Sequence, residues 1–409
     1  MPDRTDRTDE NPRMQEVRQE IDATDRDILE LLNRRASLSL EVGQLKRGSR
    51  DVIFKPFREK EVMENLRRHN AGPIPFEHLR SIYREVFSSS RALQRPQRVA
   101  YLGPEGTFSY FAGVEYLGKA VEYLPQKNLH EVFRAVHSRE CELGVIPLEN
   151  SLEGTVGQSL DLFMDFELYI QAELYCRISH SLLTRERELA EITTVYSHPQ
   201  PLGQCGGWLR ANLPNARIVP TESTAAAARR VCDEKGAAAI GHGKLAELLD
   251  LNILARGIEN LPDNWTRFVI VGPQPSDGEG RDKTSMLFSL PDKPGSLVSV
   301  LNVMAVEGLN MKKLESRPMR GEKWRYVFFV DVESDLAREE YAALLDEIRG
   351  HCQSLRILGS YPTGPYIDVS AGTEDKGAQA AAPNTMDTPD TPGTPDTHAN
   401  VAPNAQRQG

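Results

Sequence analysis

The sequence has little cysteine, no long apolar run and no excess of positive charge. Its five cysteines among 409 residues include no C-x-x-C pair, so neither a zinc site nor a disulfide framework is expected. No segment approaches the roughly 20 apolar residues needed to cross a bilayer, and the polar first twelve residues do not read as a signal peptide. The net charge of -10 argues against nucleic acid as a partner. The chain is therefore expected to be cytoplasmic, with neither a membrane nor a nucleic-acid partner.

The length of 409 residues predicts several domains rather than one core. Hydrophobic periodicity, glycine turns and low-complexity composition divide the chain further. The fold class is predicted to be multidomain: an all-α domain, an α/β domain and an α+β ferredoxin-like domain. The predicted boundaries are a disordered N-terminus at 1–13, a helical domain at 14–95, an α/β domain at 98–273, a linker at 274–282, an α+β domain at 283–361 and a disordered tail at 362–409.

An unusually long amphipathic helix is predicted over residues 14–47. Its apolar stripe consists of Val17, Ile21, Ile28, Leu31, Leu38, Val42 and Leu45. A helix of that length would extend about 50 Å, too far to be covered by one small domain. We therefore expect it to pair with a second copy of itself.

Polar and charged residues interrupt the apolar faces of the helical domain. Arg35 and Lys46 fall on the stripe of the first helix, and Ser90 and Gln94 continue the stripe of a later one. A buried cation is costly unless an anion meets it, so these residues point to a pocket for a small polyanion. The alternative is that both cations extend to solvent or pair with acidic side chains.

The helical domain resembles the all-helical chorismate mutases. The resemblance rests on VRQEID at 17–22, LLNRR at 31–35, EVG at 41–43, Lys46 and the Arg58-Glu59 pair. It implies an intertwined dimer whose shared sites hold chorismate through Arg18 of the partner chain, Arg35, Lys46, Arg58, Glu59, Ser90 and Gln94. Lys46 and Gln94 are the implied catalytic donors to the breaking ether oxygen. One departure is Lys55, which stands where many relatives carry an aspartate.

The central region resembles prephenate dehydratase. Three motifs occur in the family's order: GPEGTFS at 103–109, PLENSLEGTV at 147–156 and TRF at 266–268. The resemblance implies two α/β lobes with the site in the cleft between them. Thr266 is the implied catalytic donor to the leaving hydroxyl, and the other implied prephenate-binding residues are Thr107, Asn150, Ser151, Thr155 and Arg267.

Two of these assignments have alternatives. Thr107 is also well placed to cap a helix. Arg267 either anchors a substrate carboxylate or forms a salt bridge that positions the TRF triplet. Neither reaction requires a metal or a cofactor, and no pattern for one is found. His198 and Cys205 could suggest a nucleophile pair, but elimination needs no covalent intermediate, so a structural role between the lobes is preferred.

The C-terminal domain resembles the small regulatory ACT domain. Its predicted order is βαββαβ, and the resemblance rests on the turn at Gly295, Ser296 and Leu297 and on Glu315, Ser316 and Arg317. It implies that phenylalanine binds at these six residues, between paired modules, and inhibits the enzyme. The alternative is a purely oligomerising domain.

The whole chain is thus interpreted as a bifunctional enzyme of phenylalanine biosynthesis, at least a homodimer, that is inhibited by L-phenylalanine. It would rearrange chorismate to prephenate and convert prephenate to phenylpyruvate. One alternative is a monofunctional dehydratase whose helical segment is a dimerisation arm. The retained Arg35, Lys46 and Gln94 argue against it, because dimerisation does not require them. A second alternative, a phenylalanine-binding regulator without activity, is disfavoured by the retention of Thr266 and Asn150.

Overall fold

The computed structural model describes residues 12–45, 53–276, 278, 280–319 and 325–368. Lys46, a predicted mutase residue, lies outside the described residues, as do the predicted tail beyond residue 368 and the first eleven residues. Within the described part, no helix is both long enough and apolar enough to span a membrane.

Three helices form the N-terminal domain: α1 (Pro12–Leu45), α2 (Pro56–His69) and α3 (Phe76–Gln94). The predicted long amphipathic helix is confirmed, although it starts two residues earlier than expected. No residue of α1 is buried, and its stripe is open to solvent, with Ile28 49%, Leu31 63% and Leu38 55% exposed. A long apolar face that stays exposed in a single chain is typical of a helix that packs against a partner.

The central α/β region contains two sheets. The first has the order β16-β5-β11-β3-β1-β2 with β4 beside β3, where β16 (Tyr366–Ile367) comes from the end of the described chain. The second has the order β10-β6-β9-β7-β8. The strands of the region are β1 (Arg98–Leu102), β2 (Glu122–Gln126), β3 (Leu143–Asn150), β4 (Gly154–Thr155), β5 (Tyr169–Arg177), β6 (Ser181–Thr184), β7 (Thr194–Ser197), β8 (Arg217–Pro220), β9 (Ala237–Gly241), β10 (Asn252–Arg256) and β11 (Trp265–Gly272). The helices are α4 (Phe108–Leu117), α5 (Leu129–His137), α6 (Gly157–Asp165), α7 (Pro199–Gln204), α8 (Gly206–Asn212), α9 (Thr224–Val231) and α10 (Lys244–Leu249).

The chain crosses between the two sheets twice. It leaves the first sheet after β5, builds the whole second sheet and returns at β11, which pairs with both β3 and β5. Two α/β lobes result, and the TRF triplet lies at the start of the returning strand. This topology brings the three sequence motifs to the same edge of one sheet. GPEGTFS follows β1, PLENSLEGTV includes the end of β3 and TRF begins β11, and these three strands are neighbours.

The C-terminal domain is an antiparallel sheet of four strands in the order β13-β14-β12-β15, covered by two helices. Its elements are β12 (Lys283–Ser289), α11 (Ser296–Val306), β13 (Met311–Pro318), β14 (Tyr326–Val332), α12 (Ala342–His351) and β15 (Ser354–Tyr361). The chain order is the predicted βαββαβ, and the strand order is that of a ferredoxin-like sandwich. Its core contains Met286, Phe288, Val300 and Ile348.

The predicted disordered tail starts too early. A short strand, β16 (Tyr366–Ile367), joins the edge of the first sheet beside β5. Tyr366 stacks on Tyr175 with 4.6 Å between ring centroids, and Ile367 is buried. The end of the C-terminal domain therefore returns to the α/β region, and residues 362–368 belong to the folded chain.

Candidate active sites

The helical domain encloses a cavity of about 460 Å³. Five of the seven residues predicted to bind chorismate line it: Arg35, Arg58, Glu59, Ser90 and Gln94. They come from three helices and are separated by up to 59 positions in the sequence, so their meeting is a product of the fold. Arg18 does not line this cavity.

Arg35 points inward to α3 rather than outward to solvent. One of its guanidinium nitrogens donates to Ser90 Oγ, and its guanidinium lies 5.6 Å from the centre of the Phe87 ring. Within the described residues, no carboxylate lies within salt-bridge distance of it. A partly buried cation without a carboxylate, facing a cavity, favours an anionic ligand.

Two further residues of the cavity were not assigned from the sequence. Lys55, the departure from the family pattern, lines it and adds a positive charge. Arg91 also lines it and donates to the Glu59 carboxylate, one of the residues predicted to contact the substrate. Arg58 forms an exposed salt bridge with Glu61 at 2.6 Å, within its own helix.

The dehydratase motifs meet around the hydroxyl of Thr266. In the β3–β11 register Thr266 lies opposite Asn150, and Asn150 Nδ2 donates to Thr266 Oγ1 at 3.0 Å. The same amide group donates to Asn264 Oδ1 at 2.6 Å. Because Thr266 Oγ1 already accepts a hydrogen bond, its own proton remains for donation to a ligand.

Asn150 is held from both ends of its amide. Its Oδ1 accepts the backbone N–H groups of Leu152 and Glu153, each at 3.0 Å. These two hydrogen bonds form a turn after Asn150 and orient its amide so that the nitrogen faces Thr266. Asn264, which precedes the TRF motif and takes part in this cluster, was not singled out from the sequence.

Ser151 and Thr107 are occupied by backbone contacts. Ser151 Oγ accepts from the backbone N–H of Trp265 at 2.9 Å, which ties the β3–β4 turn to the start of β11. Thr107 caps α4: its hydroxyl donates to the carbonyl of Leu102 at 2.9 Å and accepts from Tyr110 N–H at 3.4 Å. Both hydroxyls therefore shape the turns of the site.

Arg267 lies on the opposite face of the sheet from Thr266. Successive side chains of a strand alternate between faces, and the Arg267 side chain is only 3% exposed. Its guanidinium donates to Glu173 at 2.8 Å, to Asp331 of the C-terminal domain and to Tyr361 Oη at 2.9 Å. Of the two roles left open by the sequence, the geometry favours the salt bridge over the carboxylate anchor.

Loss of this cation is expected to destabilise the fold strongly. Arg267→Met would leave Asp331 buried without its cation, while Glu173 would keep its buried salt bridge with Lys283. Breaking a buried ion pair costs about 3–5 kcal/mol. Denaturant unfolding of the full chain measures this cost. Arg134→Met is a matched control because Arg134 forms an exposed pair with Glu131, and it should change stability by less than about 1 kcal/mol. Equal effects of both substitutions would contradict the buried network.

Thr155 is the second predicted prephenate residue that lies away from Thr266. It pairs with Glu149 in the β3–β4 register, on the face that carries Arg267. Its hydroxyl donates to Glu315 at 3.0 Å and accepts from Lys313 at 2.6 Å. Thr155 therefore contacts the C-terminal domain, and this geometry argues against its predicted role in the prephenate site.

The strand β13 connects the C-terminal domain to the dehydratase region. Its side chains alternate, so Glu315 and Arg317 face that region while Ser316 is exposed. Arg317 forms a two-pronged salt bridge to Asp161 at 3.1 and 3.2 Å. Two of the six residues predicted to bind phenylalanine thus also contact the catalytic domain.

Contacts between the lobes involve the segment of His198 and Cys205, as expected, together with residues that were not assigned from the sequence. Glu153, in the β3–β4 turn, accepts from Gln200 at 2.7 Å and from Gln204 at 3.0 Å in the second lobe. Phe108 of the GPEGTFS motif packs edge-on against His180 and His242, with ring centroids 5.6 and 5.2 Å away. Burial lowers the pKa of His180 and lowers the pKa of His242 to about 3, so both imidazoles are neutral at physiological pH.

The His198–Cys205 pair is structural, although Cys205 lies within the second lobe rather than between the lobes. Cys205 lies in the core of the second lobe, and burial raises the pKa of its thiol to about 12. His198 caps α7 by accepting the backbone N–H of Gln200. A thiol that remains protonated at neutral pH is a poor nucleophile.

Comparison with known proteins matches two regions of the chain to enzyme families. Residues 17–95 match the family model of chorismate mutase type II, and residues 99–276 match that of prephenate dehydratase. A bifunctional chorismate mutase/prephenate dehydratase of Aquifex aeolicus is 38% identical over 85% of this chain and 98% of its own length. That of Stutzerimonas stutzeri is 40% identical over 86% of this chain and 98% of its own length.

A solved structure has a similar fold over about two thirds of this chain. It is the prephenate dehydratase of Arthrobacter aurescens in complex with L-Phe, with 32% identity, a TM-score of 0.60, and coverage of 65% of this chain and 90% of that one. The match of residues 17–95 to the mutase family argues against a monofunctional dehydratase with a helical arm. The chain therefore belongs to the family of bifunctional chorismate mutase/prephenate dehydratases and carries both enzyme activities.

Proposed function

We propose that chorismate is rearranged in the helical cavity and that the resulting prephenate is converted to phenylpyruvate beside Thr266. The observation that carries this proposal is the convergence of Arg35, Glu59, Ser90 and Gln94 on one cavity. The proposed domains are residues 14–95 for the mutase, 98–273 for the dehydratase and 283–361 for the regulatory module, joined by the linker at 274–282.

The mutase site works by holding its substrate in shape. The rearrangement is pericyclic, so it requires neither a nucleophile nor a base, and the site must compact a dicarboxylate and stabilise charge on the breaking ether oxygen. Arg35 and Lys46 bind the carboxylates, Arg58 and Glu59 contact the ring side, and Lys46 and Gln94 donate to the ether oxygen. Arg35 is supported by its inward orientation and its hydrogen bond to Ser90.

A second copy of the chain completes the mutase site. The exposed apolar stripe of α1 is the surface on which the copies pair, which makes the enzyme at least a homodimer. Arg18 lies on this helix, about 4.7 turns before Arg35, and does not line its own chain's cavity. It is therefore proposed to reach the cavity of the partner.

The dehydratase site works by assisting departure of the ring hydroxyl. The carbon–carboxylate bond breaks and releases carbon dioxide, its electron pair aromatises the ring, and the hydroxyl takes up a proton and leaves as water. Thr266 donates to this oxygen as an oriented hydroxyl that relays a proton from solvent, because threonine is too weak an acid to act alone. Asn150 holds Thr266 Oγ1 at 3.0 Å, and Ser151 and Thr107 shape the surrounding turns.

The C-terminal domain is proposed to be an ACT module that binds L-phenylalanine and inhibits the dehydratase. Support comes from its ferredoxin-like strand order and from the relative from Arthrobacter aurescens, which was solved with L-Phe. The proposed effector residues are Gly295, Ser296, Leu297, Glu315, Ser316 and Arg317. Contacts of Glu315 with Thr155 and of Arg317 with Asp161 give the module a direct route to the catalytic domain.

This regulation is tested with phenylalanine on the full-length enzyme. Phenylalanine is expected to bind, by calorimetry, and to lower the dehydratase rate on added prephenate. Arg317→Ala should weaken the inhibition by about tenfold or more, the equivalent of about 1.4 kcal/mol of coupling. Arg338→Ala is the matched control, because Arg338 is an exposed arginine of the same domain. Absence of binding, or equal inhibition of both variants, would contradict the proposed regulatory role.

A further inference from the structure

Arg91 is a buried cation in the wall of the mutase cavity. It lies on α3, one residue after Ser90 and three before Gln94, and is only 3% exposed. It was not among the residues that the resemblance assigned to chorismate. Burying a guanidinium is costly unless its donors find partners. Both terminal nitrogens of Arg91 have partners, whereas its Nε has none among the described residues. The partners of the terminal nitrogens indicate its role.

The guanidinium of Arg91 joins the two catalytic domains. One terminal nitrogen donates to Glu59 Oε1 inside the cavity, and the other donates to the carbonyl oxygen of Leu117. Leu117 is the last residue of α4, so its carbonyl lies at the negative end of a helix, where a cation is favoured. The plane of Arg91 also lies 5.6 Å from the ring centre of Phe54.

Other contacts hold α3 against the segment that follows α4 in the dehydratase domain. Ser88 Oγ accepts the backbone N–H of Ala120 at 3.0 Å, and Glu85 accepts that of Lys119 at 3.1 Å. Phe54, from the segment before α2, is 1% exposed and belongs to the main core of the dehydratase domain. The helix that carries Arg91 is therefore anchored outside the mutase domain.

We propose that Arg91 is a positioning residue for the mutase reaction. It fixes Glu59 through Oε1, and within the described residues Oε2 accepts no hydrogen bond, which leaves that oxygen for the substrate. The second hydrogen bond of Arg91 is to the carbonyl of Leu117 in the dehydratase domain. That domain therefore helps to hold Arg91, and through it Glu59, in position. The inference rests on the proposed role of Glu59 in contacting chorismate.

The first test compares two arginines of α3 in the full-length enzyme. Arg91→Leu is expected to lower the mutase kcat by about tenfold or more, since small misplacements of contacting groups have effects of this size. The dehydratase rate on added prephenate should stay within about twofold. Arg84→Leu is the control, because Arg84 also reaches α4, through Glu115, but does not touch Glu59. Equal mutase losses in both variants would overturn the proposal.

A double-mutant cycle then separates positioning from general support of the fold. If Arg91 acts through Glu59, Arg91→Leu should have little further effect on kcat in a Glu59→Gln background. An undiminished further loss would overturn the inference alone. A normal mutase rate in Glu59→Gln itself would reject the proposed role of Glu59, and the inference with it. If Arg91→Leu fails to fold, Arg91→Lys takes its place in the cycle. Lysine keeps the positive charge but cannot donate to Glu59 and Leu117 through two separate nitrogens.

Discussion

Thr266→Ala is expected to lower the dehydratase kcat by about 100-fold or more, the range found when one preorganised donor to a developing charge is removed. The physical reason is the geometry of its hydroxyl. Asn150 donates to Thr266 Oγ1 and so leaves the threonine proton for the departing oxygen. The measurement is steady-state consumption of prephenate at neutral pH, with the mutase rate on chorismate followed in the same preparation.

Thr266→Ser is the matched control for this prediction. Serine retains the hydroxyl and should keep most of the rate, whereas Thr266→Val keeps the shape and should behave like alanine. The mutase rate should be unchanged in all three variants, because Thr266 lies in a different domain from the helical cavity. A near-normal dehydratase rate in Thr266→Ala would mean that another group donates to the leaving oxygen.

Arg35→Ala is expected to lower the mutase kcat/KM by about 100-fold or more, since it removes a cation that a bound carboxylate would otherwise pair with inside a cavity. The dehydratase rate on added prephenate should remain within about twofold. Arg34→Ala is a suitable control, because Arg34 is the adjacent arginine and is exposed. Loss of both activities in Arg35→Ala would argue against independent sites.

The same variant also tests whether the mutase site is shared. Each proposed site uses Arg35 of one chain and Arg18 of the other. A dimer of one Arg35→Ala chain and one Arg18→Ala chain then has one intact site and one site that lacks both arginines. Random association of the two inactive variants should then restore about a quarter of the wild-type rate. Mixing after unfolding and refolding together is the experiment. No recovery in verified mixed dimers would place both arginines in one chain's site.

The mutase cavity was largely predictable because helical periodicity constrains it. Arg35 interrupts an apolar stripe, and Ser90 and Gln94 continue another, so their spacing alone places them on inward faces. Arg91 was missed because its meaning depends on Glu59 and Leu117, which are 32 and 26 positions away. Periodicity identifies the face of a helix but not what another domain places against it.

The dehydratase motifs were predictable as a group but not residue by residue. Thr266 and Arg267 are adjacent, yet strand alternation sends their side chains to opposite faces. The face carrying Arg267 is covered by Asp331, which lies 64 positions later in another domain. The motif therefore has one face with the proposed catalytic hydroxyl and one face that contacts the C-terminal domain, and Thr155 lies on the second.

The short strand β16 shows a different limit of the sequence. Two residues carry too little periodicity to predict a strand, and they precede a segment of low complexity. What stabilises them is tertiary: β5 offers an open edge, and Tyr175 offers a ring on which Tyr366 stacks. Such elements depend on a neighbour rather than on their own propensity.

The central claim is that one chain carries two separate catalytic sites, and a product assay tests it most directly. Purified enzyme is given chorismate at neutral pH, and chorismate, prephenate and phenylpyruvate are quantified over time without an acid quench, because acid itself converts prephenate. The predicted result is loss of chorismate with appearance of phenylpyruvate, with prephenate accumulating instead in Thr266→Ala. Consumption of added prephenate with chorismate left untouched would contradict the claim.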